Sequence, residues 1–307
     1  MRILDEFEAR VLLPYPALAD KIRTILRAKQ AGQTSAPPRV AVPLAGDGTL
    51  LLMPATTPEL AITKLVTVHP HNADLNLPSV QATVLVMDAA TGQQMYLLPG
   101  AIVTARRTAA LSLLAAQMLA PQPSGPLLII GAGTQGRAHL EAFAEGLGVR
   151  EVFIYSRTLA HAEELAADAA RLNVAARAVS DPAEVLPETT LIVTATTSAQ
   201  PVLPEQIRPD ALICAVGAYL PTMAEVPASV VRRARLYVDT LEGAQAEAGD
   251  LIQAGVDWSA VTPLEQVESA PRPISGPILF KSVGHALWDL AAAALIHEQY
   301  ADTTGIF

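Results

Sequence analysis

The run Leu127-Leu128-Ile129-Ile130, followed at once by Gly131-Ala132-Gly133-Thr134-Gln135-Gly136, constrains this chain more than any other feature. Four consecutive apolar residues read as a strand buried on both faces. Residues 138–147 carry the apolar spacing of an amphipathic helix, and residues 152–155 read as a second strand. A glycine turn in this setting has a specific use. The first glycine permits a tight turn, the second lets a pyrophosphate approach the backbone, and the third lets helix and strand pack closely. The helix N-terminus then offers unpaired N–H groups to the phosphates. GxGxxG alone is weak, because glycines cluster in turns. The strand–loop–helix–strand context makes it a dinucleotide fingerprint. Gly131, Gly133, Thr134, Gln135 and Gly136 are therefore candidate cofactor contacts, set against a bare βα turn with no ligand.

The same alternation continues. A helical pattern over 160–172 is followed by short apolar runs at 175–178, 190–194, 212–216 and 236–238. Strands alternating with helices predict βαβ units and a doubly wound parallel sheet. Ahead of the linker Pro121-Gln122-Pro123-Ser124-Gly125-Pro126 the pattern differs. A helix is predicted over 17–30, then β-like runs at 39–43, 50–53, 62–69, 82–87 and 94–98, then a long helix over 102–119. Turn residues between the runs suggest an antiparallel meander. A length of 307 residues suits two domains. The expected fold is α/β: a Rossmann doubly wound parallel sheet plus an α+β domain.

A net charge of −9 argues against a nucleic-acid partner, which usually needs a basic footprint. The single cysteine, Cys214, excludes an intrachain disulfide and a thiolate metal cage. The acidic start MRILDEFEAR does not read as a signal peptide, and no run reaches the length of a membrane span. The longest candidate, 287–296, is broken by Asp289 and reads as a buried or amphipathic helix. A cytoplasmic protein without a membrane partner is expected. Lysine is scarce: Lys21, Lys29, Lys64 and Lys281 stand against seventeen arginines. A lysine in an apolar run is therefore conspicuous.

The second strand of the dinucleotide unit ends in Tyr155-Ser156-Arg157-Thr158. An acidic residue at this position would bind a ribose hydroxyl of NAD. Ser156 and Arg157 suit a 2′-phosphate instead, so NADP(H) is favoured, with NAD(H) as the alternative. Thr196, Thr197 and Ser198 follow a later strand and suit a ribose or nicotinamide wall. An ST-turn capping the strand is the competing reading.

Several segments resemble the ornithine cyclodeaminase/mu-crystallin family. They are Lys64 with His69-Pro70-x-Asn72, Thr104 to Ala110, the glycine loop and Ala195-Thr196-Thr197-Ser198. Ala215-Val216-Gly217-Ala218, Glu247-x-Gly249-Asp250-Leu251 and Phe280-Lys281-Ser282-Val283-Gly284 complete the set, in the family's order from about residue 35 to 295. The resemblance implies a Rossmann domain at 119–283. It also implies a substrate and dimerisation domain at 1–118, completed by a returning helix within 284–307. It puts Val216 among the cofactor contacts and makes a homodimer the expected assembly. It implies redox chemistry at a carbon bearing an amino or imino group beside a carboxylate.

In the family a lysine and two arginines hold the substrate, and they fall here on Lys64, Arg39 and Arg107. Arginine's fork suits a carboxylate. The residues alone leave Lys64 free to snorkel to solvent; the resemblance makes it a substrate-binding and catalytic residue. Arg106 and Arg107 lie about 100° apart on a helix, so only one points into a site. The resemblance selects Arg107 and leaves Arg106 as a surface charge. Where related cyclodeaminases and alanine dehydrogenases carry an aspartate, this chain has Tyr219, a poor base at neutral pH. That favours reduction of a preformed cyclic ketimine carboxylate, to proline or pipecolate, at a rate that falls as pH rises. The alternatives are a cyclodeaminase or amino-acid dehydrogenase of the family, and a non-enzymatic NADP-dependent ligand binder like mu-crystallin. His69 and His71 lack a cysteine or carboxylate cluster, so no metal is expected. His285 reads as helix packing, and Asp239, Glu247 and Asp250 as a solvated acidic loop, against which the resemblance puts Asp239 nearer the nicotinamide side.

Overall fold

The structure is a computed structural model. It describes residues 1–268 and 276–304, the side chains of residues 73 and 301–304 excepted. Ahead of the returning helix the sequence breaks at Pro271-Arg272-Pro273, which lies outside the described residues, and again at Gly276-Pro277. The chain divides into two compact units, Met1–Arg107 joined by the chain from His285 onward, and Thr108–Gly284.

In the first unit β1 (Arg2–Ile3) is followed by α1 (Glu6–Val11) and α2 (Tyr15–Gln30). A capping box starts α1: Glu8 N donates to Asp5 Oδ1 at 2.8 Å and Asp5 N to Glu8 Oε2 at 3.1 Å. On α2 a stripe of Tyr15, Leu18, Ala19, Ile22, Ile25 and Leu26 is buried, at helical spacing. Strands β2 (Val40–Pro43), β3 (Thr49–Thr56), β4 (Leu60–Val68), β5 (Val80–Asp88) and β6 (Gln94–Pro99) form the expected antiparallel meander. β1 adds to β6 in parallel, giving the order β1-β6-β5-β4-β3-β2. On β4 the period of two puts Leu60, Ile62, Lys64 and Val66 on the buried face. Register places Lys64 opposite Met53 and Val84, so its ammonium is carried inward by the pleat and not outward to water.

Helix α3 (Gly100–Leu119) is buried on all sides from Ala105 to Ala116. Arg106 is consequently not the surface charge expected. It is buried; its Nε donates to Leu13 O at 2.7 Å and its guanidinium stacks 3.8 Å from the centroid of Tyr15. A 100° turn sends Arg106 and Arg107 to different faces, but in a fully buried helix neither face is solvent.

The second unit runs β7 (Leu127–Ile130), α4 (Thr134–Gly146), β8 (Glu151–Tyr155), α5 (Leu159–Ala169) and β9 (Ala175–Ala178). β10 (Leu191–Thr194), β11 (Leu212–Ala215), α6 (Ala228–Arg233), β12 (Arg235–Val238), α7 (Leu241–Glu247) and α8 (Gly249–Ala254) follow, then β13 (Val261–Pro263) and β14 (Ile278–Lys281). All eight strands are parallel, in the order β13-β12-β14-β11-β10-β7-β8-β9. The sheet starts at β7, winds out to β9, then returns to place β10 on the other side of β7. That reversal is the switch point at which such sheets open a ligand crevice. β7, β10, β11 and β14 are buried at every position, as strands covered on both faces should be. β13 and β14 were not expected; β14 inserts between β11 and β12, so Lys281 also ends an apolar strand.

The last helix, α9 (Ala286–Thr304), belongs to the first unit and packs on α2, β3 and β4. Lys21 pairs with Glu298 at 2.5 Å, and Tyr96 stacks on Tyr300 with centroids 5.7 Å apart.

Arg106→Met removes a buried hydrogen bond and a cation–π contact, each worth about 1–2 kcal/mol. Chemical denaturation should show a loss of about 2 kcal/mol; unchanged stability would contradict the packed role of Arg106.

Candidate functional site

In the first unit three elements bring Lys64, Arg107 and Asp289 together. The Lys64 ammonium lies 2.7 Å from Asp289 Oδ2 and donates to Thr104 Oγ1 at 3.3 Å. Arg107 Nε donates to Asp289 Oδ1 at 3.2 Å. All three charged side chains are buried, Asp289 completely. Arg39, half-buried ahead of β2, is close enough for its charge to act on Lys64. Burial pushes the Lys64 ammonium down to about 8, against the pull of Asp289, and the charges of Arg107 and Arg39 press it further down. The cluster has more cations than anions, so it has an electrostatic vacancy for one carboxylate. Asp289 engages Arg107 through Nε, which leaves the terminal nitrogens without an acceptor among the described residues. Those two nitrogens are the ones a carboxylate takes bidentately.

Asp289 is the residue that the sequence reasoning missed. Its signal was present: one carboxylate in an otherwise apolar helical run must be paired if it is buried.

In the second unit the glycine loop leaves β7 and enters α4. Gly131 has φ +113°, and a side chain there would collide with the carbonyl of Ala195. A Cβ at Gly136 would collide with the carbonyl of Gly131, whereas one at Gly133 would meet no atom within 4 Å. Two glycines are thus required by internal packing, and the middle one keeps an open approach. Gly133 is also the N-cap of α4 and supplies no side-chain cap, so the first-turn N–H groups remain available beside Thr134 and Gln135. These residues fit a pyrophosphate. Behind the loop, His139 is buried and pushed down to about 4 by burial, so it is neutral. Its Nδ1 lies 2.7 Å from Gln135 O, a pure acceptor, so Nδ1 carries the hydrogen and Nε2 accepts from Ser112 Oγ at 2.9 Å.

Ser156 and Arg157 follow β8; Arg157 is exposed and has no ion-pair partner among the described residues. Thr196, Thr197, Ser198 and Val216 follow β10 and β11, at the switch point. Thr196 is engaged internally: its N and Oγ1 donate to Glu225 Oε1 at 2.6 and 2.9 Å. Thr196 Oγ1 also accepts from Ser198 N, and Ser198 Oγ donates to Gln200 O at 2.7 Å. The hydroxyls shape the turn, while Thr197 is exposed. Tyr219 is 41% exposed.

Two of the three acidic residues expected to form a solvated loop are not solvated. Asp239 and Asp250 are buried. Asp239 accepts from Thr240 N, Ser282 Oγ and Gly284 N, and Asp250 pairs with Lys281. Among the described residues no three His, Cys, Asp or Glu side chains are placed to hold a metal. No described helix is long and apolar enough to cross a membrane.

This pairing of a Rossmann sheet with a cation-rich site on a second sheet defines the class. The chain belongs to the ornithine cyclodeaminase/mu-crystallin family, whose pattern matches residues 2–304. It is 38% identical over 300 residues to Delta(1)-pyrroline-2-carboxylate reductase 1 of Burkholderia multivorans, covering 97% of this chain and 96% of that protein. Among solved structures it is similar to the Delta(1)-pyrroline-2-carboxylate reductase of Thermococcus litoralis in complex with NADH and L-proline. There the TM-score is 0.91 at 28% identity, over 100% of this chain and 99% of the other. An archaeal alanine dehydrogenase dimer with bound NAD is also similar, with TM-score 0.89 and 26% identity over 99% and 97% of the two chains.

Asp289→Asn removes the group that raises the Lys64 ammonium, so Lys64 should titrate below about 8. With four lysines in the chain, a nitrogen-15 lysine NMR titration resolves it. A titration unmoved by the substitution would contradict the pairing.

Proposed function

We propose that this protein reduces small cyclic ketimine carboxylates with a nicotinamide cofactor, converting Δ1-pyrroline-2-carboxylate to proline and Δ1-piperideine-2-carboxylate to pipecolate. One observation carries the reading: the buried Lys64–Asp289–Arg107 cluster, which has one more cation than it has anions and holds an ammonium of depressed pKa. The similar Burkholderia and Thermococcus proteins support it through their names, and the bound L-proline of the latter is a carboxylate product of this type.

Arg107 and Arg39 would clamp the substrate carboxylate through charge-assisted hydrogen bonds, each worth about 1.5–3 kcal/mol. Lys64 would stand beside the imine nitrogen. Its ammonium favours the protonated imine by supplying the proton that the new N–H bond requires, and the imine carbon becomes more electrophilic. An ammonium titrating near 8 is a better acid than an unperturbed lysine and still largely charged at neutral pH. Asp289 keeps that charge tolerable inside the protein. When bound, the reduced nicotinamide supplies the hydride that completes the C–H bond. The glycine loop and the turns after β10 and β11 would hold it. The unpaired Arg157 after β8, with Ser156, would take a 2′-phosphate, so NADPH is the preferred form.

Cofactor oxidation with the two imines should be observed, faster per unit KM with NADPH than with NADH. Lys64→Ala should lose about 10²-fold or more in kcat/KM, and Arg157→Ala about tenfold in the NADPH/NADH ratio. Ammonia release from ornithine without imine turnover would overturn the reading, as would full activity in Lys64→Ala.

We also propose a homodimer through the outer face of the six-stranded sheet. Register places Val40, Leu52 and Leu65 on one side, with Val42 and Leu50 beside them. Val40, Val42 and Leu65 are 52, 39 and 42% exposed, an apolar face that a monomer would leave wet. Light scattering should give twice the 32.3 kDa chain mass, and Leu65→Glu should give the monomer. A monomeric wild type would contradict the assembly.

A further inference from the structure

The Lys281–Asp250 pair and the Thr196–Glu225 contacts of the second unit belong to one buried polar chain. It starts at Lys281, the last residue of β14, whose ammonium meets Asp250 Oδ2 at 2.8 Å with both side chains fully buried. Asp250 stands in the first turn of α8, and its other oxygen accepts from Glu225 N at 2.6 Å and Val226 N at 2.9 Å. The Glu225 carboxylate is itself fully buried and accepts five hydrogen bonds. Oε1 takes Thr196 N and Thr196 Oγ1. Oε2 takes Gly217 N at 2.7 Å, Thr194 Oγ1 at 3.0 Å and Ala218 N at 3.2 Å.

Every one of those donors lies at or just beyond the carboxyl end of β10, which borders the switch point, or of its neighbour β11. One carboxylate thus dictates the path of both turns. Two glycines make the close approach possible. A side chain at Gly217 would collide with the backbone of Thr196 and come within 2.5 Å of Glu225 Oε1. One at Gly249 would collide with the carbonyl of Met223. The segments Ala215–Ala218, Glu247–Leu251 and Phe280–Gly284 therefore meet in one construction, though they are far apart in sequence.

We infer that Lys281, Asp250 and Glu225 are positioning residues for the dinucleotide: they hold the turns after β10 and β11 in the shape that receives it, without touching it. The inference rests on the nicotinamide reading of this edge. Three backbone N–H groups aimed at Glu225 are withdrawn from the crevice, so the ligand meets a fixed lip of carbonyls and side chains. If the acceptor is weakened, buried donors are left unpaired and must turn elsewhere. Lys281 acts one step further back, because without it Asp250 is an uncompensated buried charge. The strain then falls on the two backbone N–H groups that Asp250 holds.

The test is the dissociation constant of NADH and NADPH for the full chain without substrate, read by nicotinamide fluorescence, with thermal unfolding of the free protein alongside. Glu225→Gln and Lys281→Met should each raise the dissociation constant at least tenfold. At saturating cofactor the KM for the imine should stay within threefold. Asp250→Asn combined with Lys281→Met should recover affinity to within threefold of wild type, because Asn keeps the acceptor for Glu225 N and Val226 N and removes the charge. If Glu225→Gln does not fold, Thr194→Val removes a single donor and should weaken binding about threefold. Folded variants that bind within twofold of wild type would overturn the inference. So would a double variant no better than Lys281→Met, which would reduce the chain to general structural support. A wild type that binds neither dinucleotide would overturn the nicotinamide reading itself.

Discussion

The site depends on a buried lysine that must be kept charged. Desolvation of an ammonium costs several kcal/mol and is offset only by good pairing. The pleat of β4 carries Lys64 inward, and the helix α9 returns from the far end of the chain to place Asp289 2.7 Å away. Asp289 also takes Arg107, so one carboxylate serves two cations. The proposed function uses that imbalance: a site neutral at rest would have little reason to accept a carboxylate, and a site with a surplus cation does.

The second unit contains the opposite arrangement. Lys281 is as deeply buried as Lys64 and also meets an aspartate, but among the described residues no second cation pairs with that aspartate. Its partner Asp250 uses its remaining oxygen on the backbone, and the adjoining Glu225 is filled by five donors. There is no vacancy there for a ligand's charge. Two Lys–Asp pairs of nearly the same length are therefore proposed to take different roles, one at a reacting centre and one as scaffold. What separates them is the charge and hydrogen-bond inventory around each pair.

Much of this was legible in the sequence, for reasons that differ from residue to residue. The parallel sheet follows from short apolar runs and a glycine loop whose two outer positions admit no side chain. The meander follows from alternation and turn residues. Lys64 stood out as the polar residue in an apolar β run. Arg106 was misjudged because helical phase separates two faces and says nothing of what covers them; α3 is buried all round from Ala105 to Ala116. β14 was missed because its four residues follow a proline-rich break, and the helix after it was assigned to the first unit. Asp239 and Asp250 were read as solvated because their partners, Ser282 and Lys281, lie 43 and 31 positions away along the chain. A buried carboxylate and a loop carboxylate look alike until the fold supplies the donors.

The most direct test of the central claim is the pH dependence of kcat/KM for Δ1-pyrroline-2-carboxylate, in the wild type and in Asp289→Asn. That ratio reports groups of the free enzyme and free substrate. If Lys64 must be protonated, the wild-type profile falls as pH rises through about 8, and removing Asp289 moves the fall to lower pH. A profile that is flat across this range, or a limb that stays in place when Asp289 is replaced, would contradict the role assigned to the buried pair.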